Sequence, residues 1–164
     1  MAYSLLWRAI EHEILPICRE HEVGIIPYSP ICQGLLTGKF ASPDDVPEGR
    51  ARSRLFSKDR PLSRHSESGC EAETFEAIGR VREICASSGQ PMGQVALAWL
   101  LAQDGVTSVI AGARNAEQAA ENAKAGELKL NADVLVRLGE ATAKVKEIIG
   151  PNADMWQTDS RLDR

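Results

Sequence analysis

The stretch that most constrains the fold of this chain of 164 residues is 107–125, TSVIAGARNAEQAAENAKA. It opens with a short run, 107–110, which is rich in β-branched residues and lies between Gly105 and Gly112. A run of this kind is too short for a helix and predicts a buried strand. Residues 115–124 are rich in Ala, Glu and Gln, which favour helix. The stretch therefore predicts a strand, a glycine turn and a helix in succession.

The turn between this strand and this helix has the features of an anion site. Asn115 is a natural N-cap, and Gln118 stands at the third helical position, as in a capping box. The start of a helix offers free backbone N–H groups and a positive dipole end, both of which suit a phosphate. Arg114 adds a planar, bidentate donor. The same residues are also consistent with simple capping and a solvated surface charge, so the chemistry alone leaves both interpretations open.

A second stretch, 23–40, VGIIPYSPICQGLLTGKF, predicts another ligand-binding loop. Residues 23–29 are predicted to form a buried strand. The glycines at 34 and 38 let the backbone approach a ligand closely. The same stretch supplies side-chain hydrogen-bond donors: Ser29, Gln33, Thr37 and Lys39. An ordinary turn followed by a loop explains the pattern equally well on chemistry alone.

Both stretches resemble the aldo/keto reductases. The sequence 112–122 fits the pattern G-x-R-x-x-x-Q-x-x-E-N, and 28–39 fits Y-S-P-[LI]-x-x-G-x-L-[TS]-G-[KR]. The resemblance covers essentially the whole chain and implies an α/β fold. Since a complete (β/α)8 TIM barrel takes about 250 residues, we expect a partial barrel: the last two to three βα units plus a C-terminal helix of a bacterial-type member, without the N-terminal half.

The resemblance implies that the chain binds NADP(H). Tyr28 would stack on the nicotinamide. The remaining implied contacts fall into three groups: the pyrophosphate at Ser29, Ile31, Gly34 and Lys39, the 2′-phosphate at Gly112, Ala113 and Arg114, and the phosphate or adenine at Gln118, Glu121 and Asn122.

The resemblance implies an NADP(H)-dependent oxidoreductase that transfers hydride between carbonyl and alcohol, but it supplies no catalytic residue. The tyrosine, lysine, aspartate and histidine of the family's active site belong to the half that this chain lacks. Tyr3 and Tyr28 match other positions, and His12 and His21 lie on the first predicted helix. Three hypotheses therefore remain: an enzyme completed by an N-terminal half on another chain, which would also supply the carbonyl-substrate site; a catalytically inactive NADP(H)-binding fragment; and a non-functional truncated gene product.

We expect a single partial domain over 1–164, with a long flexible loop at 41–68. That loop is rich in Pro, Ser, Arg and Asp without apolar periodicity, and its His65 is predicted to be a surface residue. Helices are predicted over 8–22, with a break near Pro16, and over 70–87. Two more are predicted, one from Pro91 to Gln103 and a last one from Asn131 to Gly150.

The net charge and the cysteines limit the kinds of partner that the chain is expected to bind. A net charge of −4 without a dominant basic patch argues against nucleic acid or an acidic membrane surface. No apolar run approaches the roughly 20 residues that span a bilayer. The four cysteines lack metal-ligand spacing and are predicted to be reduced thiols of a cytoplasmic protein, with no metal site. Open strand edges in a partial barrel predict self-association.

Overall fold

Six α-helices carry most of the regular structure in the computed structural model, which describes residues 1–159. Three short 3-10 segments, Ala9–Glu11, Cys32–Thr37 and Pro43–Asp45, complete the helical part. In chain order the α-helices are α1 Ile14–Glu20, α2 Glu71–Ser88, α3 Met92–Leu101, α4 Ala116–Lys124, α5 Ala132–Ala141 and α6 Ala143–Ile149.

Helices α2 and α3 form the centre of the core, and their sequences explain why. On α2 the buried residues recur at helical spacing along one stripe, which includes Ala77, Ile78 and Val81. The helix ends at Gly89, whose left-handed φ of 65° closes the last turn. Helix α3 is apolar on nearly all sides and is buried from Val95 to Leu100. It packs against α2, which in turn contacts α5 and α6.

Asparagine caps begin the two helices that follow. The Asn115 side chain accepts from the Gln118 N–H at 2.8 Å, and the Asn131 side chain accepts from the Val134 N–H at 2.9 Å. Each satisfies a backbone donor that the helix itself cannot pair. The last predicted helix is divided at Thr142, where α5 ends and α6 begins. Helix α4 has no buried residue and lies at the surface beside α3.

The prediction of a partial (β/α)8 barrel is wrong, because residues 1–159 contain no β-sheet. Parallel β-pairing in these residues is limited to two isolated β-bridges, Ala2 with Tyr28 and Ile25 with Val106. Pro27 has no N–H to donate, so a ladder cannot continue through it. The predicted buried strand at 107–110 is an extended segment whose Thr107, Ser108 and Ile110 are exposed. The fold is therefore a helical assembly against which three short extended segments lie.

The first predicted helix, over 8–22, is divided into the 3-10 turn Ala9–Glu11 and α1. Pro16 lies in the first turn of α1, where the N–H that proline lacks would have no helical partner in any case. Within residues 1–159, no helix is both long and apolar enough to cross a membrane.

The segment 41–68 packs against the core through buried Leu55 and Phe56. Its flexibility stays a prediction. The prediction that His65 is a surface residue is wrong: the residue is 8% exposed, and its Nε2 lies 3.2 Å from the Ser53 carbonyl oxygen. The Glu67 N–H donates to Nδ1 at 3.3 Å. Burial lowers the pKa of His65 and favours the neutral ring that these two contacts require.

A polar cluster around Glu11 ties the N-terminal segment to α6. The carboxylate accepts from Tyr3 Oη at 2.8 Å, from Arg8 Nε at 2.7 Å and from Lys146 Nζ at 2.8 Å. Burial by itself raises the pKa of Glu11, but the hydrogen bonds from Arg8 and Lys146 outweigh it and hold the pKa below its ordinary value.

Glu11→Gln is expected to lower the free energy of unfolding by about 1–3 kcal/mol at neutral pH. Because the folded-state pKa is depressed, the stabilisation by the ionised group is present above the unfolded-state pKa of about 4.3. It is lost as pH falls through the folded-state value. Urea unfolding of Glu11→Gln and of the unsubstituted chain should therefore show that the difference between their free energies of unfolding decreases as the pH falls. Glu20, which is exposed and makes no ion pair within residues 1–159, provides the control, and an equal effect of Glu20→Gln would contradict the assignment.

Candidate functional site

An open groove of ≈ 730 Å³ lies between the loop 29–39 and the start of α4. It brings together two parts of the chain that are about eighty positions apart in the sequence, and it contains both predicted ligand-binding motifs. The groove is lined by Ser29, Pro30, Ile31, Gln33, Gly34, Thr37, Lys39, Arg50, Ile110, Gly112, Arg114, Gln118, Glu121 and Asn122. Of the predicted cofactor contacts, only Tyr28 and Ala113 are absent from the lining.

The loop backbone is unusual in conformation. Left-handed φ angles occur at Ser29 (55°), Cys32 (47°), Gln33 (52°) and Gly34 (93°). For residues other than glycine this conformation is uncommon and costs about 1–3 kcal/mol each. These left-handed residues turn the chain tightly, and the Cys32 N–H donates to the Ser29 carbonyl at 2.9 Å. Strained backbone of this kind concentrates at binding sites, where the surrounding structure holds it in place.

Gly34 lies close to the side-chain cations of Arg50 and Lys39. A Cβ built on Gly34 would lie 3.1 Å from Arg50 Nη1 and 3.4 Å from Lys39 Nζ. A side chain here would strain the backbone, crowd the Arg50 guanidinium and contact the Lys39 side chain. The absence of a side chain therefore lets Arg50 and Lys39 come together above the loop.

Three cations face the groove: Lys39, Arg50 and Arg114. None of them makes an ion pair with any carboxylate in the described part of the chain. The pKa of Lys39 is lowered, first by burial and then by the positive charges of Arg50 and Arg114. Like charges held together without a counter-charge repel one another, and a bound anion would relieve that repulsion.

The one carboxylate in the lining does not neutralise these cations. Glu121 Oε1 pairs with Lys124 Nζ at 2.5 Å, and Glu121 Oε2 accepts from Gln94 Nε2 at 2.7 Å. Both partners lie on the helical surface outside the groove lining. The groove as a whole is therefore suited to an anionic ligand.

Two of the predicted binding residues on α4 hold the turn that precedes the helix. The Arg114 N–H donates to Gln118 Oε1 at 3.1 Å, and Asn122 Nδ2 donates to the Gly112 carbonyl at 3.2 Å. Because Gln118 Oε1 and Asn122 Nδ2 are hydrogen-bonded to the backbone of the turn, they fix the position of residues 112–114. Gly112 has open space where a Cβ would stand, and the Arg114 side chain is exposed.

Tyr28 and Ala113 lie near the groove without lining it. Tyr28 is 38% exposed, and its backbone bridges Ala2. Ala113 is exposed on the outside of the turn. The structure thus brings the predicted phosphate contacts together with the exception of Ala113, and the predicted stacking residue Tyr28 does not line the groove.

Sequence reasoning missed Arg50, and it noted Gln33 as a donor of the loop without assigning it a contact with the cofactor. Arg50 comes from the segment 41–68, whose many arginines gave no signal that would single out one of them. Gln33 donates from Nε2 to Ser29 Oγ at 2.9 Å. Its Oε1 atom is buried and has no hydrogen-bond partner within residues 1–159. A buried acceptor in this state is costly, and a ligand N–H or O–H would satisfy it.

The site holds no arrangement typical of nucleophilic or metal catalysis. The thiol of Cys32 in the loop is buried, which raises its pKa to about 12 and keeps it protonated. Within residues 1–159 no group of His, Cys, Asp or Glu side chains could hold a metal ion. The chemistry that the groove supports is the binding of an anion.

Comparison with known proteins gives consistent similarities. The sequence profile of the aldo/keto reductase family matches residues 1–143. An NADH-specific methylglyoxal reductase of Escherichia coli K12 is 35% identical over 130 residues, which are 79% of this chain and 36% of that protein. An L-glyceraldehyde 3-phosphate reductase of Escherichia coli O157:H7 is 31% identical over 161 residues, 97% of this chain and 43% of that protein.

A third relative is the aldo-keto reductase yakc [NADP(+)] of Schizosaccharomyces pombe, 31% identical over 90% of this chain and 41% of that protein. Among solved structures, a glycerol dehydrogenase from Gluconobacter oxydans matches with a TM-score of 0.68 at 23% identity, over 92% of this chain and 42% of that chain. At this identity the match shows the fold alone. The chain spans about two fifths of the length of these proteins.

Proposed function

The chain belongs to the aldo/keto reductase family, and on that premise we propose that it holds NADP(H) in the groove between the loop 29–39 and α4. In this role it forms the cofactor-binding part of an oxidoreductase that interconverts carbonyl and alcohol groups. Family membership supports a nicotinamide cofactor in general. The choice of NADP(H) rests on the residues of this chain.

The observation that carries the proposal is the convergence of Lys39, Arg50 and Arg114 on one groove without a carboxylate partner in the described chain. NADP(H) carries a pyrophosphate and a separate 2′-phosphate, so it presents anionic groups at two places along an extended molecule. The cations likewise come from two places: Lys39 and Arg50 above Gly34, and Arg114 before α4. The unsatisfied Oε1 of Gln33 provides an acceptor for a ligand N–H or O–H.

The residues thus fit the cofactor, and each receives a role. Ser29, Ile31, Gly34 and Lys39, joined by Arg50, would hold the pyrophosphate. Arg114 would bind the 2′-phosphate together with backbone at Gly112 and Ala113. Gln118 and Asn122 would fix that turn, and Glu121 would lie toward the adenine. Tyr28 would stack on the nicotinamide. When bound, NADPH supplies the hydride, and this chain's residues position the cofactor and neutralise its charge.

An alternative is that the chain prefers NADH, as the name of the Escherichia coli methylglyoxal reductase indicates for that protein. The name of the Schizosaccharomyces pombe relative specifies NADP(+). Arg114 favours the second possibility, because NADH has no 2′-phosphate and would leave this guanidinium without a partner.

Catalysis is proposed only for the chain together with acid–base residues from outside it. No tyrosine, lysine, aspartate and histidine set lies in the groove. The alternatives are an NADP(H)-binding protein without turnover and a product that binds no cofactor. Saturable NADPH binding without carbonyl reduction favours the first of these, and no binding favours the second. Cytoplasmic location and self-association stay predictions, the latter measurable by sedimentation.

Arg114→Ala is expected to weaken NADPH binding about tenfold to hundredfold, since a charge-assisted contact contributes about 1.5–3 kcal/mol. NADH binding should change much less. The measurement is a titration of the 164-residue chain with each dinucleotide, followed by calorimetry or by tryptophan fluorescence.

Arg80→Ala provides the matched control, because Arg80 is an exposed arginine on α2 that pairs with Glu76 outside the groove. It should leave both affinities unchanged. Equal weakening of NADPH and NADH by Arg114→Ala would contradict the assignment of Arg114 to the 2′-phosphate, and it would leave the groove as a general dinucleotide site.

A further inference from the structure

A second cavity, of ≈ 210 Å³, lies between the segment 41–68 and the chain that follows α6. It shares no lining residue with the cofactor groove. Its walls are formed by Arg52, Leu62, Arg64, Trp156 and Gln157. The family resemblance assigns no role to any of these five residues, so they are available for a separate interpretation.

The arginines of the segment 41–68 differ in their partners. Arg54 pairs with Glu67 at 2.8 Å, and Arg60 pairs with Glu71 at 2.6 Å, so both have structural counter-charges. Arg52 and Arg64 make no ion pair with a carboxylate anywhere in residues 1–159. Both are exposed, and both line the same cavity. The structure therefore places two guanidinium groups that have no counter-charge within residues 1–159 around one small concave space.

The remaining wall residues are uncharged: Leu62 and Trp156 are apolar, and Gln157 is polar. The Arg52 guanidinium lies 5.7 Å from the ring centroid of Trp156, within the range of a cation–π contact. Trp156 is partly buried and packs against the core, which fixes the position of the ring. Leu62 is 50% exposed and adds an aliphatic surface. A ligand in this cavity would meet two guanidinium groups, one of them lying against the Trp156 ring, together with the apolar surface of Leu62 and Trp156.

We propose that this cavity binds a small organic oxyanion, a carboxylate or a phosphate monoester, that carries a flat apolar group. Arg52 and Arg64 would bind the oxyanion, since guanidinium groups pair bidentately with both kinds of headgroup. Trp156 and Leu62 would contact the apolar part. At about 30 Å³ per water, the volume corresponds to roughly seven waters and limits the ligand to a small molecule. The site is independent of the dinucleotide groove.

The test uses benzoate, phenyl phosphate and neutral benzyl alcohol as probes, without dinucleotide. Trp156 lies in the wall of this cavity and is partly exposed, whereas Trp7 and Trp99 are 1% and 2% exposed, so a ligand bound here is expected to change the emission of Trp156. Both anions are expected to give saturable changes, and the tighter one identifies the preferred headgroup. Benzyl alcohol is expected to bind at least about tenfold more weakly, because it lacks the charge-assisted contact.

Arg52→Gln and Arg64→Gln are each expected to weaken anion binding about tenfold. Lys58→Gln is the matched control: it removes a positive charge from the same segment, but Lys58 lines neither cavity. It should have no effect. Circular dichroism checks that the variants are folded, and the Trp156 indole N–H resonance provides a second readout of binding.

Three results would overturn the proposal: no saturation with either anion, equal binding of benzyl alcohol, or the same affinity in the two arginine variants as in Lys58→Gln. NADPH titrations of Arg52→Gln should match those of the unsubstituted chain. Failure of this site and failure of the dinucleotide groove are therefore distinguishable.

Discussion

Gly69→Ala is expected to lower the free energy of unfolding by about 3–5 kcal/mol, combining left-handed strain with a backbone clash. Gly69 has a φ of 72°, which disfavours any residue with a side chain. An added Cβ would stand 2.2 Å from the Phe56 carbonyl oxygen and 2.8 Å from the Ser57 nitrogen. Both are backbone atoms, so no side-chain rotation can relieve the overlap.

The surroundings of Gly69 make relaxation difficult. Phe56 is 1% exposed, and the Cys70 N–H donates to the Leu55 carbonyl at 2.9 Å, which holds the two chain segments together. Separating them would displace a buried aromatic ring. Urea unfolding followed by far-UV circular dichroism measures the loss.

Gly89→Ala is the matched control for this prediction. Gly89 has a similar φ, 65°, but no atom lies within 4 Å of an added Cβ. Only the left-handed strain remains there, and it is expected to lower the free energy of unfolding by roughly 1–2 kcal/mol. Equal losses for the two variants would show that conformation alone, and not the contact with Phe56, determines the effect at Gly69.

Local signals in the sequence predicted the caps and helices well. Asn115 and Asn131 cap helices because their side chains reach a backbone N–H three residues along, a contact that depends on nearby residues alone. The apolar stripe of α2 likewise follows from its own spacing. The two stretches that are predicted to contact phosphate are each continuous in the sequence, and the fold brings them to one groove. The phosphate contacts themselves stay a prediction.

Contacts between distant parts of the chain could not be predicted in this way. A strand exists only if its neighbours pair with it, and the segments at 25–28 and 106–110 share one bridge, next to a proline that cannot donate. The inclusion of Arg50 in the groove and the burial of His65 also depend on packing within 41–68, which has no periodicity to reveal it. Sequence patterns report on local structure, and these features are set by tertiary contacts.

Arg54 illustrates such a long-range contact, and its loss is the second large effect that we expect. Its side chain is 5% exposed and joins the segment 41–68 to the chain after α6. The guanidinium donates to the carbonyl oxygens of Asn152 at 2.9 Å, Asp154 at 3.0 Å and Ile149 at 3.3 Å. It also pairs with Glu67 and lies 5.3 Å from the ring centroid of Trp7.

Arg54→Leu is expected to lower the free energy of unfolding by about 3–5 kcal/mol, because it leaves buried carbonyls and a half-buried carboxylate without their donor. Arg54→Lys should lose less, since it keeps the charge but has no planar fork. Urea unfolding measures both variants. Arg80→Leu removes an exposed arginine, paired with Glu76, and should cost no more than about 1 kcal/mol. A loss at Arg54 no greater than that at Arg80 would mean that the segment 41–68 is held by its apolar residues, and that the carbonyls around Arg54 find other donors.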